Sequence, residues 1–473
     1  MRRATMVLLA ALPACTVGPD HEMPKTELAA DWRATPDARM SSAPADLAHW
    51  WEGFADPVLH TLVEEATQRS PNLELAASRV REARFRRAVA TGDFGPTIDA
   101  DAGYTLSSNS KNEIFNFISG AKSLWSAGFD ASWELDVFGG VRREREAADA
   151  EVSSAVEDYR DALVSLIAEV VRNWVELTSL RERLAVARGN ERVQQDTLDL
   201  VQSRFQAGVV SALDVALARG NLATTRARIP TIQAQIEAAD GRLAVLLGLE
   251  PGTLVQVVPG VEQATALPRL PEAVAVGVPA DLMRRRPDIR RAERQVAAAC
   301  ARIGVAEADY YPHFTLNGSV GMRSRKAENL FDADSFRWSW GPGFSWNLFA
   351  TGRVRNNVRA VEEVHEQTLT TYQQTVLQAL DETRNAITAF AKEQERLGHL
   401  RESEAAATEA VDLARELYGR GVADFQSVLD AERTLFNVQE QRALSDRDLA
   451  TDLVSLYKAL GGGWEALAPE RKS

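Results

Sequence analysis

The chain has 473 residues, 45% of them apolar and 26% charged, which is the composition of a folded protein. Its formal net charge of −13 argues against nucleic acid as a partner, because phosphate binding needs a basic footprint. Six histidines and two cysteines, Cys15 and Cys300, make no disulfide framework and no metal-ligand spacing, so neither a metal nor another cofactor is expected.

The N-terminus reads as an export signal. Arg2-Arg3 precedes a short apolar core from Met6 to Leu12. Leu12-Pro13-Ala14-Cys15 then has the form of a lipobox, with Pro13 where a small residue is usual. Cleavage after residue 14 and lipid on Cys15 are expected. An ordinary secretory signal followed by an unmodified cysteine is the alternative. Removal of residues 1–14 takes Arg2 and Arg3 with it and leaves the mature chain at −15. Thr16 after the cysteine, where Asp would signal retention, resembles an outer-membrane address.

Residues 15–70 are interrupted by Pro and Gly, as are 251–286 and 462–473. These three segments are expected to form a belt around the middle of the molecule. Between them the chain repeats itself. Trp133-Glu134-Leu135 with Gly139-Gly140-Val141-Arg142 returns as Trp346-Asn347-Leu348 with Gly352-Arg353-Val354-Arg355, an offset of 213. Asp199-Leu200, Phe205 and Gly208-Val209 return at the same offset as Asp412-Leu413, Tyr418 and Gly421-Val422. The spacing is too long for a solenoid or propeller, so residues 71–250 and 287–461 should build the same unit twice.

Each unit opens with a short helix, about 72–93 and 288–309, that runs up to a pair of strands. The strands are expected at 97–107 and 125–137, then at 313–323 and 337–349. In the first, Ile98, Ala100, Ala102, Tyr104 and Leu106 alternate with Asp99, Asp101, Gly103, Thr105 and Ser107. The other three alternate likewise, which gives each strand one apolar and one polar face. A soluble, half-buried sheet would show the same alternation. The length of about 10 residues instead suits a tilted strand crossing a bilayer, where soluble strands average about 5–6. Aromatics sit towards the strand ends, as in an interfacial girdle. Pro342 cannot donate to a ladder, so a bulge or break is expected there. No apolar run reaches the roughly 18 residues of a membrane-spanning helix, so a membrane could be crossed only by strands. Four strands cannot close a barrel, and open edges are not tolerated in lipid. The remaining strands must come from other copies, and three copies give twelve.

The helices that follow are unusually long. Residues 141–205 and 354–418 carry apolar side chains at spacings of three and four without a proline, which implies rods of about 98 Å at about 1.5 Å per residue. Gly208 and Gly421 should end them. Return helices are expected at 211–247 and 424–460, the first bent at Pro230. A coiled-coil scaffold would give the same helices without the strands. The fold class is therefore mixed α/β, with two repeats per chain and strands that three copies would close into a barrel of twelve.

Several motifs carry a family resemblance over nearly the whole chain. They are Cys15-Thr16-Val17-Gly18-Pro19-Asp20, Trp50-Trp51 with Phe54, Asp56-Pro57, and Trp133-Glu134-Leu135-Asp136. Gly277-Val278-Pro279-Ala280-Asp281-Leu282, Arg286-Pro287-Asp288-Ile289-Arg290-Arg291-Ala292-Glu293, Ala301-Arg302-Ile303-Gly304 and Tyr311-Pro312 complete the set. Together they resemble TolC-like outer-membrane efflux factors of the NodT-type lipoprotein branch. The resemblance implies a homotrimeric exit duct anchored in outer-membrane lipid: a trimeric twelve-stranded outer-membrane barrel continuous with a long periplasmic helical barrel. Its partners would be a periplasmic adaptor and an inner-membrane pump of the resistance–nodulation–division class. No catalytic residue is expected. Acidic residues would ring the periplasmic mouth: Asp430 matches the family's aspartate position best, and Asp214 and Asp424 are neighbouring candidates. A solvated helix face is the alternative for each. Tyr418 matches a tyrosine that helps lock the closed state, whereas Ala423 stands where that lock has an arginine, and Gln426 where an apolar residue is common. Adaptor docking would fall on the tips, at Arg204, Phe205, Gly208, Val209, Leu417, Gly421 and Val422; plain tip packing would use the same residues. Two other functions remain open: the exit duct of a one-step protein secretion system, and a non-conducting scaffold that spans the periplasm.

Overall fold

The computed structural model describes residues 16–24, 32, 40–41, 47–108, 121–271, 274–349 and 352–465. Cys15, the signal segment before it and residues 466–473 lie outside these. The chain folds into two compact units. One comprises Met1–Lys25, Arg79–Ala155 and Arg291–Gln373, the other Thr26–Ser78, Val156–Arg290 and Gln374–Ser473.

In chain order the helices are α1 (Pro57–Arg69), α2 (Pro71–Gly92), α3 (Gly140–Gln206), α4 (Ala212–Leu246), α5 (Leu254–Val257), α6 (Pro279–Arg285), α7 (Pro287–Ala308), α8 (Arg353–Gly419) and α9 (Phe425–Ala459). The strands are β1 (Met40–Ser41), β2 (Thr97–Ser107), β3 (Lys122–Leu135), β4 (Val274–Ala275), β5 (His313–Ser324) and β6 (Phe336–Ser345). Helices α3 and α8 have 67 residues each, and α4 and α9 have 35 each.

The first unit carries the sheet, whose strand order is β2-β3-β5-β6 with every neighbour antiparallel. The register aligns the alternating faces across all four strands. One apolar row runs Ala100, Phe129, Val320, Trp338, and the polar row beside it runs Asp99, Asp130, Ser319, Ser339. The apolar face is exposed, with Trp338 at 65% and Trp340 at 71%. Gly128 and Gly321 face each other in the middle of the sheet, and a Cβ on Gly321 would lie 2.6 Å from the Ala127 carbonyl oxygen. Only glycine permits that approach.

Two strand expectations need correction. β3 ends at Leu135 because Asp136 turns to cap α3, accepting from the backbone N–H groups of Val141 (3.1 Å) and Arg142 (3.0 Å). β6 ends at Ser345, whose partner His313 is the first residue of β5, and does not reach 349. Nor is there a bulge at Pro342: the register passes through the Leu316–Pro342 pair unbroken. β6 is an edge strand, where a missing N–H can point away from the one neighbour present. Helix α4 contains Pro230 within its span.

The two tryptophans of the duplicated motif make matching bonds. The Trp133 indole donates to the Phe94 carbonyl (2.9 Å) and the Trp346 indole to that of Tyr310 (3.0 Å). The segment from Thr16 is also docked in this unit. Arg143, 4% exposed, donates to the carbonyls of Val17 (2.9 Å) and Gly18 (3.0 Å) and to Asp20 (2.9 Å). Gly18 crosses Gly304 so closely that a Cβ on it would lie 2.4 Å from the Gly304 Cα.

The second unit is built around buried Phe54, Leu59, Leu62, Trp174, Leu177, Leu243 and Leu247. Asp56 caps α1 and also accepts the Trp174 indole N–H at 2.8 Å. Arg286, the first residue of the Arg-Pro-Asp signature, is buried. It pairs with Asp288 (2.7 Å) and Glu382 (2.8 Å) and donates to the Ala459 carbonyl at the end of α9 (3.0 Å). That signature is therefore a structural clamp. A two-residue parallel ladder joins β1 to β4, a pairing too short to leave a period in the sequence.

Candidate functional site

Within the second unit, α3 turns back into α4 and α8 into α9, and both turns are built alike. Val209 N–H bonds the Arg204 carbonyl and Gly208 N–H that of Phe205, each at 2.9 Å. Val422 N–H bonds the Leu417 carbonyl (2.9 Å) and Gly421 N–H that of Tyr418 (3.0 Å). This is the Schellman pattern of helix ends, and it needs a residue at positive φ. Gly208 has φ 73° and Gly421 φ 76°. A Cβ on either would meet nothing within 4 Å, so backbone conformation, not space, demands glycine.

The return helices are capped by the same two residue types in swapped order. At α4, Ser211 is the N-cap and Asp214 accepts from its backbone N–H and hydroxyl, both at 3.0 Å. At α9, Asp424 is the N-cap and accepts from the Ser427 N–H (3.0 Å) and hydroxyl (2.6 Å). The Ser427 hydroxyl and then its backbone N–H hold the Asp424 carboxyl below its ordinary value. Asp214 and Asp424 thus have local structural work. Asp430, exposed and further into α9, accepts from Gln426 on its carboxylate (3.0 Å) and from the Thr434 hydroxyl on its backbone carbonyl (2.8 Å). Its side chain takes no part in a cap.

Beneath the turns lies a small core of Leu198, Val201, Ala218, Leu222, Tyr418, Phe425, Val428 and Leu429. Arg204 covers Tyr418, its guanidinium carbon 4.6 Å from the ring centroid, and donates to the carbonyls of Tyr418 (2.7 Å) and Gly419 (2.6 Å). Burial pushes the Tyr418 phenol above its ordinary value, against the pull of the Arg204 cation. Among the described residues the Tyr418 hydroxyl is buried without a hydrogen-bond partner. Outside this core, Phe205, Val209, Leu417 and Val422 are exposed, Val209 at 69% and Val422 at 74%.

Sequence reasoning missed Glu432. Only 4% exposed, it accepts from Thr197 of α3 (2.7 Å) and Arg415 of α8 (2.9 Å) on one oxygen, and from Asn221 of α4 (3.5 Å) on the other. All four helices meet on this one carboxylate. The signal was present: Phe425, Val428, Leu429, Glu432 and Phe436 share a helical stripe, and Glu432 is its one charge. Above it a polar ladder ties α3 to α9 through Asn190–Gln439 (2.8 Å), Arg183–Glu440 (3.1 Å), Glu182–Arg442 (2.8 Å) and Glu176–Arg447 (3.4 Å).

The family described as Outer membrane efflux protein matches residues 62–249 and 278–462. The chain belongs to this family. Nodulation protein T of Rhizobium leguminosarum bv. viciae is 30% identical over 98% of this chain and 94% of that protein. The pyoverdine export outer membrane protein OpmQ of Pseudomonas putida is 31% identical over 93% of each. Among solved structures, the outer-membrane channel OprN superposes with a TM-score of 0.87 at 35% identity, over 95% of this chain and all of that one. This outer membrane efflux protein is therefore a transport channel of the outer membrane. Among the described residues no helix is long and apolar enough to cross a membrane.

Proposed function

We propose that the protein is the exit duct of a tripartite efflux pump, in which three copies join their sheets into one twelve-stranded barrel. The observation that carries this is the sheet itself. It has four antiparallel strands in continuous register, one apolar face exposed, and an unpaired strand at each edge. Barrel closure is the one way to remove both edges in lipid. An inner-membrane pump of the resistance–nodulation–division class would load the duct through a periplasmic adaptor. Phe205, Val209, Leu417 and Val422, flanking the Gly208 and Gly421 turns beside Arg204, offer apolar tips for that contact. Cys15, immediately ahead of the docked Thr16, is the lipid attachment point.

The resting duct is closed at the tips, and Asp430 is its gate residue. Three copies of an exposed carboxylate in a narrow mouth repel one another and attract cations. The capping bonds of Asp214 and Asp424 leave them less free to answer a partner, and Tyr418 acts by packing under Arg204. Opening moves the α8–α9 pair outward when a bound partner favours that state. Transport selectivity lies mostly with the pump, and the relatives' different cargoes agree with a permissive duct. Recording from the purified protein in planar bilayers tests the reading: discrete cation-preferring conductance supports it, and folded, membrane-inserted protein that never conducts would refute it.

A further inference from the structure

The duplicated junction between sheet and long helix carries opposite charge in the two repeats. The fourteen residues from Trp133 to Glu146 hold four carboxylates and three arginines. At the offset of 213, the fourteen from Trp346 to Arg359 hold three arginines and no carboxylate. Phe349 stands at the place of Asp136, Asn357 at that of Glu144 and Arg359 at that of Glu146.

In the first repeat each arginine has an acid within reach. Arg142 pairs with Asp136 (3.0 Å), Arg143 with Glu146 (2.8 Å) and Asp20 (2.9 Å), and Arg145 with Asp149 (3.7 Å). In the second repeat Arg353, Arg355 and Arg359 are exposed, and among the described residues their side chains have no ion pair or hydrogen bond. Val354 and Val358 beside them are buried, so the start of α8 is packed and the cations are what is left over. Cations in the first turns of a helix oppose its dipole, so they do not serve α8 itself.

Their position shows what they can serve. β6 ends at Ser345, opposite His313, where β5 begins just after α7, so Trp346 lies on the rim of the sheet next to the helices. The apolar row of β6 runs on past this rim. Trp340 (71% exposed) and Phe344 (72%) are followed by Trp346 (52%), Leu348 (64%) and Phe349 (92%). An apolar surface that gives way within a few residues to unpaired cations suits a membrane–water interface, where aromatics sit at headgroup depth and basic side chains reach the phosphates. We infer that this rim binds anionic phospholipid headgroups of the leaflet that faces the helices. Trp346, Leu348 and Phe349 rest on the acyl chains, and the guanidinium groups of Arg355 and Arg359, one turn apart, take the phosphate, with Arg353 beside them. An acidic soluble partner would meet the arginines but leave the apolar residues wet. The inference rests on the membrane-crossing sheet proposed above and adds a lipid preference carried by the second repeat.

Full-length trimer, delipidated in mild detergent, is titrated with phosphatidylglycerol and separately with zwitterionic phosphatidylethanolamine, and bound lipid is counted by native mass spectrometry. The wild type should hold phosphatidylglycerol more tightly, with a preference that shrinks as salt rises. Arg355→Gln with Arg359→Gln should cut the preference by up to about fivefold for each arginine. Arg355→Lys with Arg359→Lys should keep most of it, because the charge remains. Phe349→Asp, which restores the acid of the first repeat, should weaken it with all three arginines in place. Arg145→Gln, the paired arginine of the first repeat, should leave it unchanged. Equal wild-type affinity for the two lipids, or an equal loss with Arg145→Gln, overturns the site. So does a double glutamine variant that light scattering shows to be no longer trimeric, which would assign these arginines to ion pairs between copies. Wild-type trimer that retains neither lipid removes the membrane-crossing sheet as well.

Discussion

Asp430 and Glu432 stand two residues apart on α9 and face different surroundings. Asp430 is exposed and its carboxylate accepts from the neutral amide of Gln426, so its charge is available to whatever passes. Asp430→Ala should lower the cation preference of the channel and weaken block by divalent cations, read from reversal potentials in a salt gradient; unchanged values would move the gate to Asp214 or Asp424. Glu432 is buried, and its removal takes the carboxylate partner from Arg415, Thr197 and Asn221 at once, although Arg415 and Thr197 keep the Val193 carbonyl. Glu432→Ala should loosen the tip by about 1–3 kcal/mol, the cost of leaving buried polar groups unpaired. Amide exchange would then speed up around residues 193–222 and 411–436 and not in the sheet. The sequence showed the charge of Asp430 and the aromatic Tyr418, but not their bonding. Asp214 and Asp424 read as equivalent mouth acids, although Asp424 is the N-cap of α9 and Asp214 the third helical residue behind the Ser211 cap, each bonded to a serine three residues away. That distinction depends on cap geometry, which a residue type alone does not carry. Glu432 was legible only as a break in an apolar stripe.

At the scale of elements, the turns and long helices were legible because single residues define them. Gly208 and Gly421 end α3 and α8 where positive φ is required, and Gly421→Ala should cost about 1 kcal/mol through that backbone strain alone. The unfolding midpoint in mild detergent would report it, and Gly398→Ala, at a helical position with nothing within 4 Å, is the control that should not destabilise. On α9, burial and then the nearby carboxylates of Glu393 and Asp448 push the Asp452 carboxyl up to about 6. A carboxyl raised in the fold destabilises it once ionised, above that value, and is harmless when protonated in both states. Asp452→Asn should therefore raise the unfolding temperature at pH 7–8, with the gain fading as pH falls from about 6 to about 4. A gain that persists at pH 4 would assign the effect to packing. Elements of two residues, such as β1 and β4, escaped the reading because pairing between distant segments leaves no local period. Pro342 misled it, since the rule against proline in ladders is relaxed at an edge and the alternation alone does not say which strand is an edge.

On the scale of the whole molecule, the repeat, the strand faces and the long helices were enough to suggest a shared barrel, because one chain supplies four strands and two open edges. The docking of Thr16 to Asp20 under Arg143 was not legible, since it joins residues more than a hundred positions apart. It places the residue after Cys15 against Gly139, at the junction of β3 and α3. Lipidation at Cys15 should appear as labelling by a palmitate analogue that Cys15→Ala abolishes; an unlabelled wild type would remove the anchor from the account but not the barrel. The central claim is that three chains enclose one conducting path. Single-channel recording on protein sized as a trimer in the same detergent tests it most directly. Discrete, cation-preferring openings are expected, rare at rest and altered by Asp430→Ala. A folded trimer that inserts into the bilayer and passes no current under any applied potential, with Asp430→Ala equally silent, would contradict it.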